Sequence, residues 1–139
     1  MTATDCALFL RRVLGLDAIA SGATGLLFAL GSGALADALK LDQGFTNPIG
    51  LFLVCYGAAV AALALQVRPA RTLVMVVIGA NSLWVLASAA MLIMQWQSPN
   101  VFGTAFVIAQ TAVVAGFAGL QTYALIRRAA QTSNPSTHA

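Results

Sequence analysis

Between Arg71 and Arg127 the chain reads TLVMVVIGANSLWVLASAAMLIMQWQSPNVFGTAFVIAQTAVVAGFAGLQTYALI (residues 72–126), 55 residues without a charged side chain. A helix needs about 20 apolar residues to cross the hydrocarbon of a bilayer, so this stretch holds two crossings and a turn. The turn falls at Gln95–Asn100, where Ser98-Pro99 interrupts the apolar run. Working outward, Asp42 and Arg68 bracket another 25 uncharged residues (43–67). The whole chain repeats the message: of 139 residues, 60% are hydrophobic and only 8% charged, and the mean hydropathy is +0.87. A soluble domain carries about 25% charged residues, so this chain has too few to cover a water-facing surface. The fold class that follows is an all-α membrane protein, a four-transmembrane-helix bundle. Its spans cover about residues 8–30, 48–67, 72–94 and 101–126 of a domain comprising 1–128. Pro48, with Asn47 as its cap, is expected to open the second span. The small polar residues 129–139 form a tail expected to be disordered and cytoplasmic.

The seven Lys/Arg and four Asp/Glu leave a formal net charge of +3. With four crossings, Arg11, Arg12, Arg68, Arg71, Arg127 and Arg128 all fall on one side, and the other side holds Lys40 with Asp37 and Asp42. The positive-inside rule puts both termini in the cytoplasm. Trp96 suits the outer aromatic belt, Phe9 and Tyr123 the inner one. Positive charges placed at segment ends orient helices and make no nucleic-acid patch. His138 is the single histidine, and Cys6 and Cys55 belong to different levels of the membrane. No haem or zinc ligand set results, so no cofactor, metal or disulfide is expected, and the cysteines read as fillers.

The first connection, 31–47, is the longest. Leu35, Leu39 and Leu41 alternate there with Asp37, Lys40 and Asp42. Two forms fit: a helical extension of the first span, or a short interfacial helix acting as a lid. Arg11-Arg12, the apolar run and Ala34-Leu35-Ala36 also imitate a signal peptide, but the run is too long for one and Asp17 interrupts it.

A weak internal repeat pairs the spans. At an offset of 64, Val13-Leu14-Gly15 falls on Val77-Ile78-Gly79, Asp17 on Asn81 and Thr24 on Ser88; at 53, Gly50 falls on Gly103 and Val54 on Val107. Two parallel helical hairpins related by a pseudo-two-fold would give this pattern. Asp17 and Asn81 would then share one depth near the bundle axis.

Asp17 is the one acid inside a span, and an acid in a helix centre costs about 2.5–3.5 kcal/mol on insertion scales. It has two readings: a proton or cation site, or a hydrogen-bonded clasp between helices. Candidate partners are Arg71, Arg127, Arg128, Asn81 and Gln121. Ser21, Thr24, Asn81, Ser88 and Gln121 are expected to form a polar layer, which most often acts as interhelical glue. Gln110 and Trp84 read as glue and packing. Small residues at four-residue spacing (Ala18/Gly22, Ser21/Gly25, Gly57/Ala61, Ala112/Gly116, Ala115/Gly119) let helices approach closely. They serve either the internal bundle or a homodimer.

Residues 81–88 (Asn81-Ser82-Leu83-Trp84-Val85-Leu86-Ala87-Ser88), Ser98-Pro99, Phe106-Val107-Ile108-Ala109-Gln110, Gly119-Leu120-Gln121 and Leu16 to Gly22 together resemble small four-span bacterial proteins, a group of uncharacterised hypothetical integral membrane proteins. The resemblance covers most of the chain and implies a bacterial inner (plasma) membrane, with no activity attached. The function expected is that of a non-enzymatic accessory or structural component. Its partners would be the lipid bilayer and a second copy or another membrane protein, with no nucleic acid. The alternative is a dimeric proton-linked transporter or channel for a small solute, using Asp17.

Overall fold

In a computed structural model that describes residues 3–132, the chain forms five helices: α1 (Ala3–Leu30), α2 (Ser32–Leu39), α3 (Gln43–Leu65), α4 (Arg71–Ile93) and α5 (Val101–Thr132). Among the described residues there is no strand. The long helices α1, α3, α4 and α5 are each long and apolar enough to cross a membrane. The four-helix bundle is thus present, with α2 as a fifth, short element.

Around the bundle α3 packs on α1, α1 on α5, and α5 on α4, whereas α3 and α4 barely touch despite being joined by a short loop. Glycine makes the α1–α3 seam the tightest. A Cβ on Gly25 would lie 2.6 Å from the Val54 nitrogen, one on Gly50 2.6 Å from the Ala29 nitrogen, and one on Gly57 2.9 Å from the Gly22 nitrogen. Only hydrogen fits between these backbones.

The core is divided along the bundle axis. One half is a packed apolar cluster of Leu10, Leu14, Ala18, Val60, Leu63, Val74, Val77 and Ala124. At that end α1 and α5 meet, with Phe9 edge-on to Tyr123 at 6.5 Å and Gln131 Nε2 donating to Cys6 Sγ at 3.4 Å. Cys6 is buried, Cys55 is exposed, and both are free thiols. Arg11 Nε donates to the Ala64 carbonyl (3.0 Å) and Arg128 Nη1 to that of Pro69 (3.3 Å), so the α3–α4 loop, the first turns of α1 and the last turns of α5 gather at this end. The opposite end is closed by α2, whose Leu39, followed by Leu41, packs on Phe28 with Ile49 and Phe106 alongside. Asn100 ties α2 down: its Nδ2 donates to the Ala38 carbonyl (2.8 Å), while its Oδ1 caps α5 by accepting from the Gly103 N–H (2.8 Å).

Four expectations need correction. α3 begins five residues before Pro48, with Asp42 and not Asn47 at the N-cap position. Proline is tolerated there because Gly44, whose carbonyl it cannot serve, is exposed. α1 begins at Ala3, ahead of residue 8. The first connection is not a straight extension of α1: the backbone bends at Gly31 (φ −98°, ψ 14°), and the short helix α2, the other form expected there, folds across α3 and α5. Finally, α5 continues to Thr132, because Arg127-Arg128-Ala129-Ala130-Gln131 are good helix formers and Arg128 and Gln131 find partners. Residues 133–139 of the expected tail lie outside the described residues.

Candidate functional site

Just above the apolar cluster, four helices each contribute polar side chains to one buried point. Asp17 and Ser21 come from α1, Tyr56 from α3, Asn81 from α4 and Gln121 from α5. Asp17 and Gln121 are fully buried, and Asn81 and Ser21 are 3% and 8% exposed. Asp17 Oδ2 accepts from Asn81 Nδ2 and from Gln121 Nε2, each at 2.8 Å, and its Oδ1 accepts from Ser21 Oγ at 3.3 Å. Tyr56 Oη donates to Asn81 Oδ1 at 2.8 Å, which turns the Asn81 amide so that its NH₂ faces the carboxyl. The second Asn81 hydrogen reaches Gln121 Oε1 at 3.4 Å. Every donor in the cluster therefore points, directly or through one neighbour, toward Asp17, which accepts in all three of its bonds.

The arginines named as possible partners do not join it. Arg128 is held by Pro69, and the Arg127 guanidinium lies 5.2 Å over the Tyr123 ring. Arg71 is exposed at the first residue of α4. Asp17 sits too deep for side chains anchored at the bundle end, and the amides take their place.

Above the cluster, where α3 and α4 diverge, lies a cavity of about 410 Å³. Ser21, Tyr56 and Asn81 line it at the cluster side, and Phe52, Trp84 and Phe117 contribute aromatic walls. Asp17 itself does not line it. Gln110, seven residues before Phe117 on α5 and so about 10 Å further along the axis, marks its far end. No protein-family model, curated protein or solved structure matches this chain. The geometry of the cluster and cavity is therefore what bears on function. No group of three or more His, Cys, Asp or Glu side chains suited to a metal ion occurs among the described residues.

Of the expected polar layer, Ser21, Asn81 and Gln121 converge on Asp17, whereas Thr24 and Ser88 do not. Thr24 stands seven residues beyond Asp17 and Ser88 seven beyond Asn81, each about 10 Å at 1.5 Å per residue, so neither side chain reaches the carboxyl. Thr24 lines the cavity and Ser88 is buried higher in α4. Trp84 and Gln110, read as packing and glue, form cavity wall instead. Tyr56 was not expected. Its signal was a phenol set nine residues inside the end of α3, far from the interface where tyrosine usually sits, so that its hydroxyl needed a partner within the bundle. Asp17 and Asn81, which the internal repeat puts at one depth near the bundle axis, are in contact.

Proposed function

We propose that this chain is a non-enzymatic, multi-pass protein of a bacterial inner membrane. In this reading it serves as an accessory or structural component that assembles with itself or with another membrane complex. The observation that carries the proposal is the outer face of α5. Ala112, Ala115, Gly116 and Gly119 are all exposed, and a Cβ on either glycine would meet nothing within 4 Å. On α1 and α3 the same residue types are used to bring two backbones together. Small residues facing lipid gain nothing by being small, whereas facing another helix they permit close approach. The Arg-rich end of the bundle supports a topology with both termini cytoplasmic, and the bacterial membrane rests on the resemblance described above.

In this reading the Asp17 cluster is a clasp. Three neutral donors from three helices hold the carboxyl, and it stands behind the cavity wall. The alternative, a dimeric proton-linked transporter titrating Asp17, needs the same carboxyl to be reached from outside.

Oligomeric state in lipid nanodiscs, read by native mass spectrometry, tests the proposal. The wild type is expected to associate, and the double variant Gly116→Leu/Gly119→Leu to be monomeric with an unchanged melting temperature. A monomeric wild type, or a double variant that assembles as before, would sink self-assembly through α5. A proton-driven flux in reconstituted vesicles that vanishes in a folded Asp17→Asn protein would transfer the function to the alternative.

A further inference from the structure

The direction of the hydrogen bonds in the cluster determines what the neighbouring cavity offers. Ser21 Oγ gives its only hydrogen to Asp17, and Tyr56 Oη gives its only hydrogen to Asn81. Both hydrogens of Asn81 Nδ2 are committed, to Asp17 and Gln121. What these three side chains retain on the cavity side is lone pairs: Ser21 Oγ, Tyr56 Oη and the second lone pair of Asn81 Oδ1. By drawing every donor toward itself, Asp17 leaves the cavity floor with acceptors alone. Above that floor the walls are mainly apolar and aromatic, among them Phe52, Leu83, Trp84 and Phe117, with Thr24 and Gln110 as the remaining polar groups.

We infer that this cavity is a binding site for a small amphipathic molecule whose polar head is a hydrogen-bond donor, O–H or N–H, carried on an apolar body. The volume of about 410 Å³ lies within the roughly 300–1,000 Å³ of small-molecule sites. The stretch of α5 wall from Phe117 to Gln110, about 10 Å long, suits a chain of about eight carbons. Entry is from the bilayer, through the gap between α3 and α4, which selects molecules that already partition into lipid. At the floor a head group that only accepts would face three acceptors and lose its hydrogen bonds to water there; the donors of the cavity, the Thr24 hydroxyl and the Gln110 amide, stand further along it, Thr24 three residues or about 5 Å beyond Ser21. The inference depends on the cluster and cavity and not on assembly through α5: a monomer that binds such a ligand would sink self-assembly through α5 and leave this one standing.

The test uses the full chain in nanodiscs with Trp96→Phe, so that Trp84 in the cavity wall is the sole tryptophan. Its emission is followed on adding 1-octanol, octylamine or methyl heptyl ether, which has a similar body and no donor. Saturable binding of the alcohol or the amine, roughly three- to tenfold tighter than the ether, is expected, since one neutral hydrogen bond has about that effect. The alcohol-to-amine ratio tells whether the head is neutral or cationic. Asp17→Asn supplies a second readout that a merely structural role would not move. In that variant the new side-chain carbonyl can accept from both amides while its NH₂ donates to Ser21, which releases the Ser21 hydrogen toward the cavity. The preference for donors over the ether should then shrink to below about twofold. An ether that binds as tightly as both donors, or no saturable response to any of the three, overturns the inference. So does a folded Asp17→Asn protein with the preference unchanged. If that variant does not fold, the comparison on the parent chain decides alone.

Discussion

The two helical hairpins, α1–α3 and α4–α5, are written in the same Ala-, Gly-, Val- and Leu-rich alphabet and are built differently. In the first, Gly25, Gly50 and Gly57 bring backbones into direct contact. In the second, a Cβ on Gly79, Gly116 or Gly119 would meet no other helix within 4 Å. Even positions that the internal repeat equates diverge: Gly50 packs against the α1 backbone at Ala29, whereas Gly103 packs against Leu39 and Pro99 at the end of the bundle. A glycine in a span therefore acquires its meaning from the helix opposite it. The first hairpin is a closed seam. The second leaves an open outer face, and its divergence from α3 leaves the cavity.

The most damaging way to break this comparison is to cut what ties the hairpins together. Asp17→Ala strands the donors of Asn81 and Gln121, both buried. At about 1–3 kcal/mol for each unmet donor, a loss of roughly 3–5 kcal/mol is expected, visible as a large drop in the melting temperature in detergent. Asp17→Asn keeps an acceptor for both amides and should lose only about 1 kcal/mol. Equal stability of the wild type and both variants would show that the cluster does not clasp the bundle.

Next in size is the seam itself. Gly50→Ala forces a methyl to within 2.6 Å of the Ala29 nitrogen, so helices α1 and α3 must part, at a cost of about 1–3 kcal/mol. The matching change in the open hairpin, Gly116→Ala, meets empty space within the single chain and should leave the stability of the monomer unchanged or raise it by up to about 1 kcal/mol through helix propensity. Similar losses at both positions would erase the distinction between the hairpins. At the α2 end, Asn100→Ala removes the cap of α5 and the donor to Ala38. About 1 kcal/mol should be lost, with hydrogen exchange quickening first in α2. Protection unaltered there would mean that the apolar contact of Leu39 and Leu41 with Phe28 holds α2 unaided.

The legible part of this architecture was the part governed by the bilayer. An uncharged run of 55 residues (72–126) can only be two crossings and a turn, and the structure starts α4 and α5 at Arg71 and Val101, within a residue of the expected 72 and 101. Helix ends were legible where Ser98-Pro99 marked them. They were misread at Pro48, because a proline near a helix start is compatible with more than one register. Asp17 stood out because a carboxyl inside a span needs partners, and the repeat pointed to Asn81. Ser21 and Gln121 were among the expected polar residues, but so were Thr24 and Ser88, since composition gives polarity and not height along the axis. Tyr56 went unread for the opposite reason: an aromatic ring in an apolar span resembles packing until its hydroxyl is traced to Asn81.

By itself, the sequence determined that the chain is a bundle of four membrane-length helices with an acid needing company inside, because the absence of charge over span-length runs leaves no other way to bury so much apolar surface. Only the tertiary structure decided which glycines form a seam and which face outward, that four helices meet at Asp17, and that a cavity opens beside it. Those outcomes depend on the rotation and height of each helix against its neighbours. Within a lipid-facing bundle the hydrophobic pattern scarcely encodes either, since the side toward lipid is as apolar as the side toward protein.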